Sequence, residues 1–117
     1  MQETEHKLQV TLVNWFRLQH RKHEGLLFAI PNGGQRNAVV AAKLKAEGVV
    51  AGVADLMLCV ARKGYHGLFI EVKVKKNYSK QSERQRIFQL NVEKEGYLYD
   101  VVRSLDDFRQ VIDDYLD

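Results

Sequence analysis

The stretch VADLMLCVARKGYHGLFIEVKVKK, residues 53–76, decides the fold: two apolar, β-prone runs, VADLMLCVA and GLFIEVKV, flank RKGYH, a connector of hairpin length containing a glycine. The two runs are expected to pair antiparallel. What does not fit a pair of buried strands is charge, since Asp55 lies in the first run and Glu71 and Lys73 lie in the second. Side chains alternate along a strand, so Leu68, Ile70, Val72 and Val74 share one face while Phe69, Glu71 and Lys73 share the other.

A three-residue connection, Arg62 to Gly64, would set Ala61 against Tyr65 and carry Asp55 opposite Glu71. Their Cβ atoms would then be roughly 4.5 to 5.5 Å apart. A turn longer or shorter by one residue shifts this register. Two carboxylates at that spacing repel unless one is protonated or a cation lies between them. A hard divalent ion such as Mg²⁺ is the natural partner, because it takes carboxylate oxygens and retains waters. Lys73, next on the same face, could then orient or help deprotonate a water, or stabilise charge developing on a phosphate. Taken singly, Glu71 and Lys73 read as a solvated ion pair and Asp55 as a turn or edge residue. Their coincidence across one hairpin favours a site.

Outward from this hairpin the pattern gives a complete α/β order. Leu8, Leu12, Trp15 and Phe16 form an apolar stripe at spacings of three and four, which predicts a first helix. LLFAI is a short strand stopped by PNGG, and QRNAVVAAKLKAEG is a second helix ending at Gly48. After the hairpin and the basic loop KKNYSKQ, a helix is expected from Ser82 to about Glu95, closed by Gly96 and followed by the strand YLYDVV. Ser104 caps a last helix with Asp106 and Asp107 in its first turn, where the helix dipole favours anions. Helix, strand, helix, strand, strand, helix, strand, helix implies a mixed sheet flanked by helices.

The chain of 117 residues is expected to form one domain over residues 1–117, and its 45% hydrophobic and 28% charged residues are those of a globular protein with enough core to need no staples. The lone Cys59 forms no internal disulfide, and MQETEHKLQ lacks a signal-peptide core, so the expected compartment is the cytoplasm. No apolar run is long enough to span a bilayer, which excludes a membrane protein. Cys59 is expected to be a small packed residue of its strand. The four histidines, without cysteine partners or H-E-x-x-H spacing, give no zinc signal. The net charge is only +3, but Lys73, Lys75, Lys76, Lys80, Arg84 and Arg86 stand against Glu83 alone, while the C-terminal segment carries Asp106, Asp107, Asp113, Asp114 and Asp117. The basic run is either solvated surface or a phosphate-binding face.

With these residues in place, AGVADL followed by EVK resembles the D-x(n)-E-x-K core of the PD-(D/E)XK nucleases, a restriction-endonuclease-like fold. More narrowly, the chain from Glu5 to about Arg103 is similar to the VRR-NUC, or virus-type replication-repair nuclease, domain. The segments that carry this are the early Glu5, PNGGQR, GVVAGVADL, FIEVK, SERQ and EGYLYDVVRS. Ala54 departs from the proline usual before the aspartate, which touches rigidity rather than chemistry. The resemblance implies a Mg²⁺- or Mn²⁺-dependent endodeoxyribonuclease working on DNA in a bacterial or phage-infected cell. It implies Asp55 and Glu71 as metal ligands, the Val72 carbonyl as a third ligand and Lys73 as the catalytic lysine.

Glu5 matches the family's first-helix carboxylate, although an acid in the first turn of a helix is also favoured by the dipole alone. Gln85 matches a glutamine near the lysine, while Ser82-x-x-Gln85 is equally a capping box. Asn32 and Arg36 are candidate DNA-backbone contacts, and Lys75, Lys76, Lys80 and Arg84 candidate phosphate contacts. Tyr78 could stack on an unpaired base. A free-standing domain of this kind resembles dimeric enzymes that resolve four-way (Holliday) junctions, so the expected partners are branched DNA and a second copy, with no small-molecule cofactor. The alternatives are a non-catalytic dimeric DNA-binding module and a nuclease for flap or linear DNA.

Overall fold

The computed structural model describes residues 4–31, 37–74 and 80–117. Helix α1 (Glu5–Gln19) begins at Thr4, whose hydroxyl accepts from the Lys7 N–H, and it runs into a short 3₁₀ turn, Arg21–His23. Strand β1 is Leu27–Ala29 and helix α2 is Ala38–Ala46, capped by the Asn37 side chain. Strands β2 (Leu56–Leu58) and β3 (Leu68–Val72) follow, then α3 (Glu83–Lys94), β4 (Leu98–Val102) and α4 (Leu105–Leu116). This is the order expected from the sequence. The sheet order is β1-β2-β3-β4, antiparallel except for the parallel pair β3 and β4. A parallel pair needs a crossover, and α3 supplies it.

The alternation in β3 divides the core into two. Leu68, Ile70 and Val72 join Leu8, Leu12 and Phe16 of α1 and Phe108, Ile112 and Tyr115 of α4 on one face. Phe69 joins Ala54 and Tyr99 on the other, beneath Phe88 and Val92 of α3. Glu71 and Lys73 therefore emerge on the α3 side of the sheet, beside the helix that begins at Ser82. Tyr115 closes the far end of the α1 and α4 face, its hydroxyl donating to the Val60 carbonyl at 2.6 Å.

The hairpin has the expected register by an unexpected route. Leu56 pairs with Ile70, Met57 with Phe69 and Leu58 with Leu68, as the three-residue connection would give. The turn itself is tighter: Arg62 and Tyr65 bond to each other on both sides, leaving Lys63 and Gly64 at its tip, both with positive φ. Between turn and ladder the first arm has Cys59, Val60 and Ala61 against only His66 and Gly67, so one extra residue restores the register. Cys59 falls in that stretch and is exposed between the buried Leu58 and Val60, not packed as expected. The region corrects one further expectation, since β2 is three residues long and ends before the cysteine.

Among the described residues no helix is long and apolar enough to cross a membrane. Helix α2, AVVAAKLKA, is alanine, valine and leucine apart from its two lysines, yet none of its residues is fully buried among the described residues, and Val39 is 80% exposed.

Candidate active site

The antiparallel ladder stops at Leu56, and Asp55 lies one residue beyond it. The Asp55 N–H donates to the Ile70 carbonyl at 3.1 Å, while its own carbonyl accepts from Ile30 N–H at 2.9 Å. Residues in a regular strand turn both groups to one neighbour, so the chain twists at Asp55. That twist frees the side chain to bond backbone: Asp55 Oδ2 accepts from Val72 N–H at 2.7 Å. The aspartate is thus tied to the end of β3, one residue past Glu71.

Glu71 is 2% exposed and Lys73 8% exposed. Lys73 Nζ lies 4.0 Å from Glu71 Oε2, which also accepts from Gln85 Nε2 at 3.0 Å. The other oxygen, Glu71 Oε1, is buried with no hydrogen-bond partner among the described residues. Burial first, then the negative charge and carboxyl hydrogen bonding of Asp55, push the Glu71 carboxyl up to about 9, with Lys73 opposing and Glu5 adding to the rise. A carboxylate normally avoids such a place, since desolvation and a like charge both favour its neutral form. Next to this pair, the buried Tyr99 hydroxyl is pushed up to about 12, chiefly by burial, with the charges of Glu71 and Asp55 contributing.

Gln85 is the capping residue of α3 and also lies against Glu71. Its Oε1 accepts from Ser82 N–H at 2.8 Å and Ser82 Oγ accepts from Gln85 N–H at 3.2 Å, which completes the capping box of α3. The same amide's nitrogen is the donor to Glu71. The cap fixes the oxygen end of the amide, so the nitrogen end can only face the carboxylate. Glu5 likewise combines two positions, in the first turn of α1 and on the wall of a groove of about 630 Å³ that it shares with Asp55.

One residue that the sequence did not single out matters to the site. Gly52, three residues before Asp55, has φ +92°, and a Cβ there would lie 2.7 Å from Arg84 backbone carbon and 2.8 Å from its carbonyl oxygen. Only glycine lets the loop before Asp55 press against the first turn of α3. The contact holds the segments bearing Asp55 and Gln85 together. The signal was present in GVVAGVADL, but the sequence does not say what a glycine faces.

Lys80 and Arg84 are exposed near the start of α3. Asn32, Arg36, Lys75, Lys76 and Tyr78 lie outside the described residues. Among the described residues no three histidine, cysteine, aspartate or glutamate side chains converge to hold a metal ion by themselves. The candidate oxygen donors are instead the carboxyl groups of Asp55 and Glu71, with Val72 at the same strand end, while Glu5 lines the same groove as Asp55. A buried Glu71 beside a partly exposed Asp55, with one Glu71 oxygen unpartnered among the described residues, fits a hard cation that keeps several of its waters.

The fold and this cluster of Asp55, Glu71, Lys73 and Gln85 are accompanied by matches to known proteins. The VRR-NUC domain family matches the chain over residues 1–106. A solved structure described as a VRR_NUC domain protein has 33% sequence identity and a TM-score of 0.83, covering 99% of this chain and 90% of its own. No curated protein matches the chain. The chain belongs to the VRR-NUC family. Membership makes it a nuclease domain, with DNA as the substrate that such a domain implies.

Proposed function

We propose that this domain is a PD-(D/E)XK-type endodeoxyribonuclease that needs Mg²⁺ or Mn²⁺ and, as a homodimer, resolves four-way junctions. The observation that carries the catalytic part is the Glu71 carboxyl, buried against Asp55 with one oxygen unpartnered and Lys73 beside the other. A fold that had no use for this pair would gain stability by losing it. Asp55 and Glu71 would hold the cation, with the Val72 carbonyl at the end of β3 as a further oxygen donor; Glu5 from α1, which does not close on the pair as a third side chain, would face the site from the groove wall. When bound, the cation supplies charge neutralisation at the phosphoryl oxygens and acidifies a water.

The chain's own groups have separate tasks around it. Gln85 donates to Glu71 Oε2 and fixes the carboxylate plane. The Val72 N–H does the same for Asp55. Lys73, nearly buried, brings its ammonium to the pair, where it can orient a water or oppose the charge that builds on the phosphate during attack. Lys80 and Arg84, exposed near the start of α3, would attract the DNA backbone; the sequence assigns the same role to Asn32, Arg36, Lys75 and Lys76, and to Tyr78 the stacking of an unpaired base.

Helix α2 supports the dimer. Its alanines and Val39 are exposed and none of its residues is fully buried among the described residues, and a second copy across a two-fold axis would cover them with the same surface. One chain has one site, and symmetric cutting of a junction needs two at a fixed separation.

Cleavage of plasmid, flapped and four-way-junction DNA with Mg²⁺, Mn²⁺ or EDTA tests the reading, together with light scattering at micromolar concentration. Asp55→Asn and Lys73→Ala are expected to lower cleavage at least about a hundredfold, as for other groups that act on a transition state. Near-normal cleavage by Asp55→Asn removes the metal site. A strict monomer that cuts linear and branched DNA equally removes the junction-resolving dimer and leaves the nuclease.

A further inference from the structure

The groove that Glu5 and Asp55 share does not end at the carboxylates. It continues along α1 past His6, Gln9, Val10, Val13 and Asn14 to Arg17. Glu5, Gln9, Val13 and Arg17 follow one another at i, i+4 steps, so they form one row on a single face of the helix. The neighbouring face is committed, because Leu8, Leu12 and Phe16, each three residues on from a member of the row, are buried in the core. The row is therefore held toward the groove and cannot roll away from it. From Glu5 to Arg17 the helix rises about 18 Å at roughly 1.5 Å per residue.

The chemistry changes along this length. The near end is carboxylate, where a cation is proposed. Beyond it the groove offers amide donors at Gln9 and Asn14, an open apolar floor at Val10, 46% exposed, and a guanidinium at the far end. Arginine and side-chain amides are among the groups that bond the phosphates of DNA, and among the described residues no carboxylate lines the groove beyond the metal end to repel them.

We propose that this groove is the track for one DNA strand leaving the cut, with Arg17 as its distal phosphate contact. The inference rests on the nuclease reading and adds to it a length: about 18 Å corresponds to about five nucleotide steps at roughly 3.4 Å each along a strand of B-DNA. The occupant is the strand that carries the scissile phosphate, because the groove is continuous with Asp55. Arg17 is exposed and outside the core, so its replacement leaves folding intact.

The test uses the whole chain in two arms. In the first, Asp55→Asn protein with and without Arg17→Ala binds a duplex at several salt concentrations. Losing one phosphate contact should flatten the slope of log affinity against log salt by about 0.9, and Arg17→Lys should restore it. In the second, otherwise wild-type protein cuts substrates whose arm on one side of the cut is shortened step by step. The rate should fall once the arm is shorter than about five nucleotides, and in Arg17→Ala this dependence on arm length should vanish. An unchanged salt slope together with an unchanged dependence on arm length overturns the track. If no DNA is cut with Mg²⁺ or Mn²⁺, the nuclease reading fails while the binding arm still decides the role of Arg17.

Discussion

Replacing Glu71 by glutamine should stabilise the metal-free protein, and by an amount that depends on pH. The carboxyl moves from an ordinary 4.5 up to about 9 on folding, through burial and the neighbouring Asp55, with Lys73 only partly offsetting them. A folded pKa above the unfolded one means that the native protein holds this proton more tightly. Its favourable contribution is complete below about pH 4.5 and is lost as the pH rises toward 9. At pH 7 the unfolded chain has released the proton and the folded chain has not, a handicap of about 2.5 pK units or about 3 kcal/mol. Glutamine keeps the shape without the titration: its carbonyl can accept from Gln85 as Glu71 Oε2 does, and its amide nitrogen can donate to Asp55.

The measurement is urea unfolding of both proteins in EDTA between pH 4.5 and 8, followed by Trp15 fluorescence, since that ring packs against Phe108 and His20. The stability difference should grow by about 3 kcal/mol between pH 4.5 and 7 in favour of Glu71→Gln. Asp100, raised by burial and Glu93, and His23, lowered by burial and nearby Arg62, Lys22 and His20, titrate in both proteins and cancel. A difference that stays flat across this range would refute the claim that Glu71 is held in a costly environment. Adding Mg²⁺ or Mn²⁺ at pH 7 should narrow the gap by stabilising the wild type, by about 2.7 kcal/mol at a hundred times the dissociation constant.

Gly52→Ala should cost at least about 2 kcal/mol and lower cleavage as well, because the new methyl meets Arg84 backbone and a positive φ at once; melting that matches the wild type would show that the loop can yield. Gln85→Ala should lose about 1 kcal/mol with its cap and also reduce cleavage, whereas Gln85→Glu should keep the cap and still impair cleavage by setting a third carboxylate beside Glu71. Melting and cleavage measured on the same two variants separate these roles, and full cleavage by Gln85→Glu would make the glutamine a cap alone. A thiol reagent should label Cys59 in the native protein as fast as in the unfolded chain; strong protection would restore the packed cysteine that the sequence suggested.

The hairpin shows why most of this fold was legible and where legibility stopped. Register could be read because Leu56 and Leu58 on one strand, and Leu68 and Ile70 on the other, must face the same core. A slip of one residue would turn a whole set of leucines outward, at a far greater cost than any turn can impose. The turn was misjudged for the same reason: local chemistry at Lys63 and Gly64 selects a two-residue reversal, and the extra residue near Cys59 absorbs the mismatch so that the core keeps its pairing. Helix ends were legible because their signals are local, Ser82 with Gln85, Ser104 with its two following aspartates, Gly48 and Gly96. The Gly52 contact was not, since it depends on which segment of a distant helix comes to lie above it. Asp55 stands between these cases. Its place opposite Glu71 followed from register, but its carboxylate is aimed by a break in the ladder that no alternation predicts. A strand that continued regularly through Asp55 would have turned its N–H and its carbonyl to one neighbour, where this chain donates to Ile70 on one side and accepts from Ile30 on the other. The irregularity at Asp55 is therefore what aims its carboxylate at the end of β3, where it accepts from the Val72 N–H.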